Sequence, residues 1–221
     1  MSETSEPTEH EASRVRAARA LRALSHAFAA ADAPADDMDL VTDAVSALTD
    51  RIAAAPRRDR LGLMLAYHEA GGLPAAEESG APFRAGFDDR AVGGSANPTG
   101  LDTEVTFAGD EVVATVVLGA AFEGAPGRAH GGIVAAMFDD ITGYVIGVHH
   151  TPAFTGELTV RFLAPVPVGV PLAVRARLEG QERRKLFITA EARVEGEVIA
   201  TCRAIYIAVD PTKFSGAPDP R

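Results

Sequence analysis

The sequence predicts an α+β chain in which an antiparallel β-sheet wraps around one long buried helix, with a helical extension at the N-terminus. Three observations carry that prediction. The run from Ile133 to Val148 is apolar over helical length and holds only the carboxylates Asp139 and Asp140. Segments of period-two alternation flank it, two before and four after. Ahead of them, apolar residues recur at helical spacing between His10 and Ile52. A helix that is apolar nearly all round has to be covered on most sides, and strands of half-buried pattern are the cover this chain offers.

In chain order, residues 1–8 are polar and are expected to be disordered. A first helix runs from His10 to Ala31 on the stripe Val15, Ala18, Leu21, Leu24 and Phe28, with Arg14, Arg16, Arg19 and Arg22 as a solvated face. Asp36 or Asp37 is placed to cap a second helix on the stripe Leu40, Val41, Val45, Leu48 and Ile52, and Pro56 breaks it. The pair reads as an amphipathic hairpin packed on the main domain or on a second subunit, or else as a separate partner-binding module. Residues 1–60 are thus a helical extension. Residues 61–94 form a loop-rich connector, with Leu61 to Tyr67 as a short helix or strand and Gly71-Gly72, Pro74, Gly80 and Pro82 as punctuation. A loop of that length is often a lid or lies across a partner.

The main domain spans 95–209. Thr103 to Phe107 and Glu111 to Leu118 read as strands around a tight Ala108-Gly109-Asp110 turn. After the apolar helix come strands at Gly156 to Leu163, Val170 to Leu178, Leu186 to Val194 and Glu197 to Val209, the last two joined at Glu195-Gly196. Residues 210–221, rich in Pro, Gly and Asp, are a flexible tail.

The net charge of −10 argues against nucleic acid as a partner, because phosphate binding needs a basic face. Cys202 is the single cysteine, so no intrachain disulfide and no cysteine-based metal site is available. The adjacent His149 and His150 cannot face one ion from a helix, and no metal is expected. The acidic Met1 to Glu11 has no basic n-region and no apolar h-region, which predicts no signal peptide. No apolar run is expected to reach membrane-spanning length, so a cytoplasmic protein without a membrane partner is expected. There is no G-x-S-x-G elbow, no Walker glycine loop and no dinucleotide G-x-G-x-x-G.

The chemistry concentrates in Gly124-Ala-Pro-Gly-Arg-Ala-His-Gly-Gly, which leads into the apolar helix. Glycines at a helix start leave backbone N–H groups open to an anion or a developing oxyanion. A carboxylate in the middle of a buried helix is costly unless paired or used. Asp139 and Asp140 point about 100° apart, so they cannot aim at one point.

His130-Gly131-Gly132 with Asp139 nine residues after the histidine resembles the acyl-CoA thioesterases of hotdog fold of the phenylacetate-degradation (PaaI-like) type. The branch that reads G-P-P-G-x-x-H-G-G stands nearest. Phe154-Thr155-Gly156 and Pro165-Val166-Pro167 strengthen the resemblance, which covers roughly residues 95–209. It implies Asp139 as general base or nucleophile, the Gly131 N–H as oxyanion donor, and His130 as an orienting group. Thr155 would hydrogen-bond the acid or the water, and Asp140 would be structural. Gly132 and Gly156 would line the substrate, and Arg183, Arg184 and Lys185 would hold coenzyme A phosphates. Acyl-CoA would be the substrate, with no further cofactor. The absence of tryptophan favours an aliphatic or mixed acyl group. Where some relatives carry an Asn, this chain has Gly124. Nine residues of helix span about 13 Å, too long for the Gly131 N–H and Asp139 to meet at one carbon. The site is therefore expected to be shared across a homodimer, with a dimer of dimers (a homotetramer) as the larger option. Two other readings stand beside it: a hydratase or dehydratase on the same scaffold, and a non-catalytic acyl-CoA-binding protein.

Overall fold

The computed structural model describes residues 8–59, 62, 90–149 and 151–209. The expectations for residues 1–7, for Leu61 to Tyr67, for most of the 61–94 connector, for His150 and for the tail from 210 lie outside the described residues.

Helix α1 spans Glu9–Ala30 and starts with a capping box, Thr8 and Glu11 each bonding the other's backbone N–H. Helix α2 spans Ala35–Ala53. Its N-cap is Pro34 and makes no side-chain bond, so neither Asp36 nor Asp37 is the expected cap. Both acids stand in the first turn, where the helix dipole favours them.

The expected packing of these helices is corrected by the structure. Arg22 is not solvated: it is 6% exposed and faces the main domain. Its Nη1 donates to the carbonyls of Ser95 and Asn97, and its Nη2 pairs with Asp102 at 2.8 Å. Arg19 reaches the same carboxylate at 2.9 Å. Leu21, Leu24 and Phe28 point the other way and stay exposed. On α2 nothing is buried, and Leu40 and Ile52 are 68% and 73% exposed. Ala18 of the expected stripe and Arg22 are the two buried residues of α1, and Arg22 can be buried because Asp102 and two loop carbonyls satisfy its guanidinium.

Six strands form one antiparallel sheet: β1 (Glu104–Ala108), β2 (Glu111–Val117), β5 (Ala153–Phe162), β6 (Pro171–Glu182), β7 (Lys185–Val194) and β8 (Glu197–Ala208). Their order is β1-β2-β6-β7-β8-β5. A 3-10 turn (Ala120–Phe122) and a small hairpin, β3 (Glu123–Ala125) and β4 (Arg128–Ala129), follow β2. Strand β6 runs four residues past the expected Leu178, through a bulge at Leu178/Gly180. Glu195 and Gly196 both take positive φ, 49° and 90°, as a tight turn between right-twisted strands requires.

Helix α3 (Gly131–Val148) lies on this sheet, with Val134, Met137, Phe138, Ile141, Tyr144 and Val145 buried against Val112, Leu172, Val174, Ile188 and Ala204. This is the hotdog arrangement. α3 is long and apolar enough to cross a membrane by length and composition, contrary to the expectation that no run is, but half of it is buried within the chain and it forms the core. It is not enclosed all round, either: Ala135, Ala136, Asp139, Asp140 and Gly143 remain half-buried.

Candidate active site

The loop before α3 is fixed from both sides. Gly127 takes φ 72°, which turns β3 into β4, and its N–H donates to Glu123. Ala129 N–H donates to the Val166 carbonyl at 2.8 Å, and Arg128 bridges Pro167, which gives Pro165-Val166-Pro167 its place. His130 N–H donates to the Phe122 carbonyl at 2.8 Å. Gly124 packs so near that a Cβ there would come within 2.9 Å of His130 Cα, so an Asn does not fit in this arrangement.

His130 is the N-cap of α3, and its Nδ1 accepts from Gly132 N–H at 3.1 Å. An accepting Nδ1 places the proton of the neutral ring on Nε2, which makes that nitrogen a donor. Gly132 N–H is thereby used in the cap. Gly131 N–H, the first of the helix, has no acceptor among the described residues, and Gly131 is exposed. It opens on a groove of about 410 Å³ lined by Arg128, Ala129, Phe162, Leu163, Ala164 and Val166.

Asp139 sits two turns further along. Thr155 Oγ1 donates to its Oδ1 at 2.8 Å, the one side-chain donor to that carboxylate among the described residues. The expected pair is therefore brought together. Thr155 reaches Asp139 because a bulge between Thr155 and Glu157 breaks the β5–β8 register. Gly156 is needed at that bulge, since a Cβ would meet Ile207 Cγ1 at 2.9 Å.

Two residues that the sequence reading missed complete the cluster. The Tyr206 hydroxyl donates to the main-chain carbonyl of Asp139 at 2.9 Å and stands 3.0 Å from Thr142 Oγ1. Thr142 is fully buried and donates to the Phe138 carbonyl at 2.8 Å. Tyr206 is the register partner of Thr155, so β8 presents the phenol to both the helix and the neighbouring strand. Burial pushes the Tyr206 phenol up; the hydroxyls of Thr142 and Thr155 oppose this, and the Asp139 charge adds to it. Beneath the same acid, Cys202 is raised to about 12, mainly by burial and then by Asp139. The period-two pattern places Cys202, Ala204 and Tyr206 on one face of β8, which was the available sequence signal.

Asp140 is separate, as its angle on the helix implies. Its Oδ2 lies 3.6 Å from Arg90 Nη2, and the Arg90 guanidinium stacks 3.9 Å above the Tyr144 ring. Burial raises its carboxyl, against the opposing charge of Arg90 and a bond from the Gly93 backbone, while Asp139 adds to the rise. Arg90 and Gly93 thus hold the start of the described 90–102 segment against α3.

Arg183 and Arg184 form the turn between β6 and β7, Arg183 at φ 54°. Arg184 Nε donates to the Ala208 carbonyl at 2.9 Å. Lys185 is the register partner of Ile207, and Leu186 that of Tyr206. Thr155 pairs with Tyr206 from the other side, which puts the basic triplet at the same end of the sheet, about 10 Å away across two strand spacings. Among the described residues no three His, Cys, Asp or Glu side chains converge as a metal site.

Residues 126–201 match the profile of the family described as Thioesterase superfamily. The chain is 31% identical over 139 residues to acyl-coenzyme A thioesterase THEM4 of Bos taurus, covering 60% of this chain and 53% of that protein. It is 35% identical over 95 residues to THEM4 of Xenopus laevis, covering 40% and 41%. The chain thus spans about half the length of the curated relatives it matches. A crystal structure of a thioesterase superfamily protein superposes with a TM-score of 0.71 at 20% identity, covering 92% of this chain and 97% of that one, which establishes the shared fold.

Proposed function

We propose that this hotdog chain hydrolyses acyl-CoA thioesters, with Asp139 activating the attacking water and the N-terminus of α3 stabilising the oxyanion. The observation that carries the reading is the half-buried Asp139 carboxylate, held by Thr155 on a helix whose first N–H opens on a groove. Its free oxygen takes a proton from water as the water oxygen bonds to the thioester carbon. Negative charge grows on the carbonyl oxygen, where Gly131 N–H and His130 Nε2–H act as donors with the positive end of the helix dipole behind them. The C–S bond then breaks, the proton passes to the coenzyme A sulfur, and the free acid is released. A nucleophilic Asp139, forming an acyl-enzyme anhydride that water opens, uses the same groups. The names of the THEM4 relatives and the superfamily match over 126–201 support the substrate class.

Gly131 and Asp139 are separated by about 12 Å along one helix. One carbonyl cannot meet both, so Asp139 of one copy works with Gly131 of a second, in a homodimer. The half-buried Ala135, Ala136, Asp139 and Gly143 of α3 and the exposed Phe154, Phe162 and Leu163 support that pairing. The basic triplet Arg183, Arg184 and Lys185 would meet coenzyme A phosphates, with Arg184 Nε already held by the Ala208 carbonyl. The stretch Gly124-Ala-Pro-Gly-Arg-Ala-His-Gly-Gly supports the G-P-P-G-x-x-H-G-G branch of the PaaI-like group, and a cytoplasmic location is part of the same proposal.

The test is free-thiol release from a panel of short, long and phenylacyl-CoA esters by wild type and Asp139→Asn. Release that collapses in the variant while its oligomer size is kept supports the reading. Unchanged release removes Asp139 from the mechanism. Water loss from a 3-hydroxyacyl thioester, without thiol release, replaces hydrolysis by dehydration.

A further inference from the structure

Helix α1 lies outside the matched superfamily segment, yet it is joined to the oxyanion end of α3 by a short chain of bonds. We propose that His26 on α1 is a positioning residue for that end of the site, acting through the 3-10 turn Ala120–Phe122. This rests on the reading of the α3 N-terminus as the thioester carbonyl site.

The helix is fixed first by Arg22, whose guanidinium is held by Ser95, Asn97 and Asp102. One turn further on, His26 meets the 3-10 turn. Its Nδ1 accepts from Ala121 N–H at 3.1 Å, and its ring stands edge-on to Phe122, 5.1 Å between centroids at 76°. The seat is close-fitting: a Cβ on Gly119 would come within 2.6 Å of the imidazole, so Gly119 leaves the room that His26 fills. Phe122 N–H closes the turn onto the Gly119 carbonyl at 2.9 Å. From there a single bond reaches the site, because the Phe122 carbonyl accepts His130 N–H at 2.8 Å.

Three consequences follow. First, the direction of the Phe122 carbonyl depends on how the 3-10 turn is held, and His26 supplies both a backbone acceptor and a ring contact to that turn. Second, His130 both caps α3 and precedes Gly131, so a shift of its backbone turns both oxyanion donors together. Third, the acceptor role requires an unprotonated Nδ1, and burial together with the neighbouring Arg22 charge holds the His26 imidazole below its ordinary value, in the form the bond needs. His26 touches no reacting atom. Its effect is on donor aim, to which transition-state stabilisation is more sensitive than substrate binding.

The experiment uses the full chain with His26→Ala and His26→Asn, the latter keeping an oxygen able to accept from Ala121 N–H. Two readouts are taken: hydrogen exchange of the segment 119–134 by mass spectrometry, and kcat and KM for thiol release. His26→Ala is expected to speed exchange in 119–134 while β6, β7 and β8 keep wild-type protection, and to lower kcat about tenfold with KM little changed. His26→Asn should restore most of both. Wild-type exchange in His26→Ala overturns the proposal, as does altered exchange with unchanged kcat. Equal loss in both variants with faster exchange throughout the sheet also overturns it, since that is general destabilisation. If the wild type releases no thiol from any ester, the site reading fails, and the exchange result alone still decides whether His26 holds the turn.

Discussion

Replacing Thr155 by Val removes one hydroxyl and keeps the β-branched shape that a strand position favours. The hydroxyl lost donates to Asp139 Oδ1 at 2.8 Å. A hydrogen bond to a charged acceptor contributes about 1.5–3 kcal/mol net. If that is spent on holding the carboxylate in its working direction, and 1.36 kcal/mol is tenfold in rate, kcat falls about 10- to 150-fold. Thr155 is exposed, so water can partly replace the hydroxyl, and a fall of about 10- to 30-fold is expected. Thr155→Ser keeps the donor and should stay within about threefold of wild type. The assay is thiol release under saturating acyl-CoA, with thermal unfolding of each variant alongside. The exposed position predicts melting temperatures within a few degrees of wild type, on the order of a 0.5 kcal/mol change. A Val variant within twofold of wild type, in a background where Asp139→Asn is inactive, would refute the idea that Thr155 orients the acid.

Further outcomes follow from the same geometry. Tyr206→Phe deletes the buried donor to the Asp139 carbonyl and leaves the Thr142 hydroxyl without that neighbour, so both stability, by about 1–2 kcal/mol, and kcat should fall; unfolding in denaturant and thiol release check the two. Asp140→Asn should retain activity within a few-fold, unlike Asp139→Asn. Because burial raises the Asp140 carboxyl in the fold, ionisation there is disfavoured relative to the unfolded chain. Wild-type stability contributed by this group is present below the ordinary value of 3.8 and lost as pH rises through the raised one. The stability of the Asn variant relative to wild type should therefore grow with pH across that window, as denaturant midpoints at several pH values would show. Cys202, at about 12 and buried, should not react with a thiol reagent in the native state and should react once per chain after denaturation, which leaves thiol-release assays free of enzyme background.

Much of the architecture was legible because it depends on local pattern. Period-two alternation located the strands of the sheet, and a run too apolar for any surface located α3. The glycines before α3 and the acid within it marked a candidate site, and the resemblance rather than the carboxylate alone gave Asp139 its expected role. The Thr155–Asp139 bond was expected from resemblance, and the bulge that makes it possible required the register of β5 on β8. Tyr206 and Thr142 were missed because their partner is a main-chain carbonyl, which leaves no mark in the residue pattern.

The sequence by itself therefore determined the class of fold and the helix that carries the acid, because periodicity and burial cost are properties of a few consecutive residues. Only the tertiary structure decided which face of α1 docks. Pattern favoured the whole stripe from Val15 to Phe28, and the structure buries only Ala18 of it together with Arg22, since Asp102 and the carbonyls of Ser95 and Asn97 converge there from about 75 residues away. Whether a charge can be buried depends on what the folded chain brings to meet it, and no local pattern contains those partners.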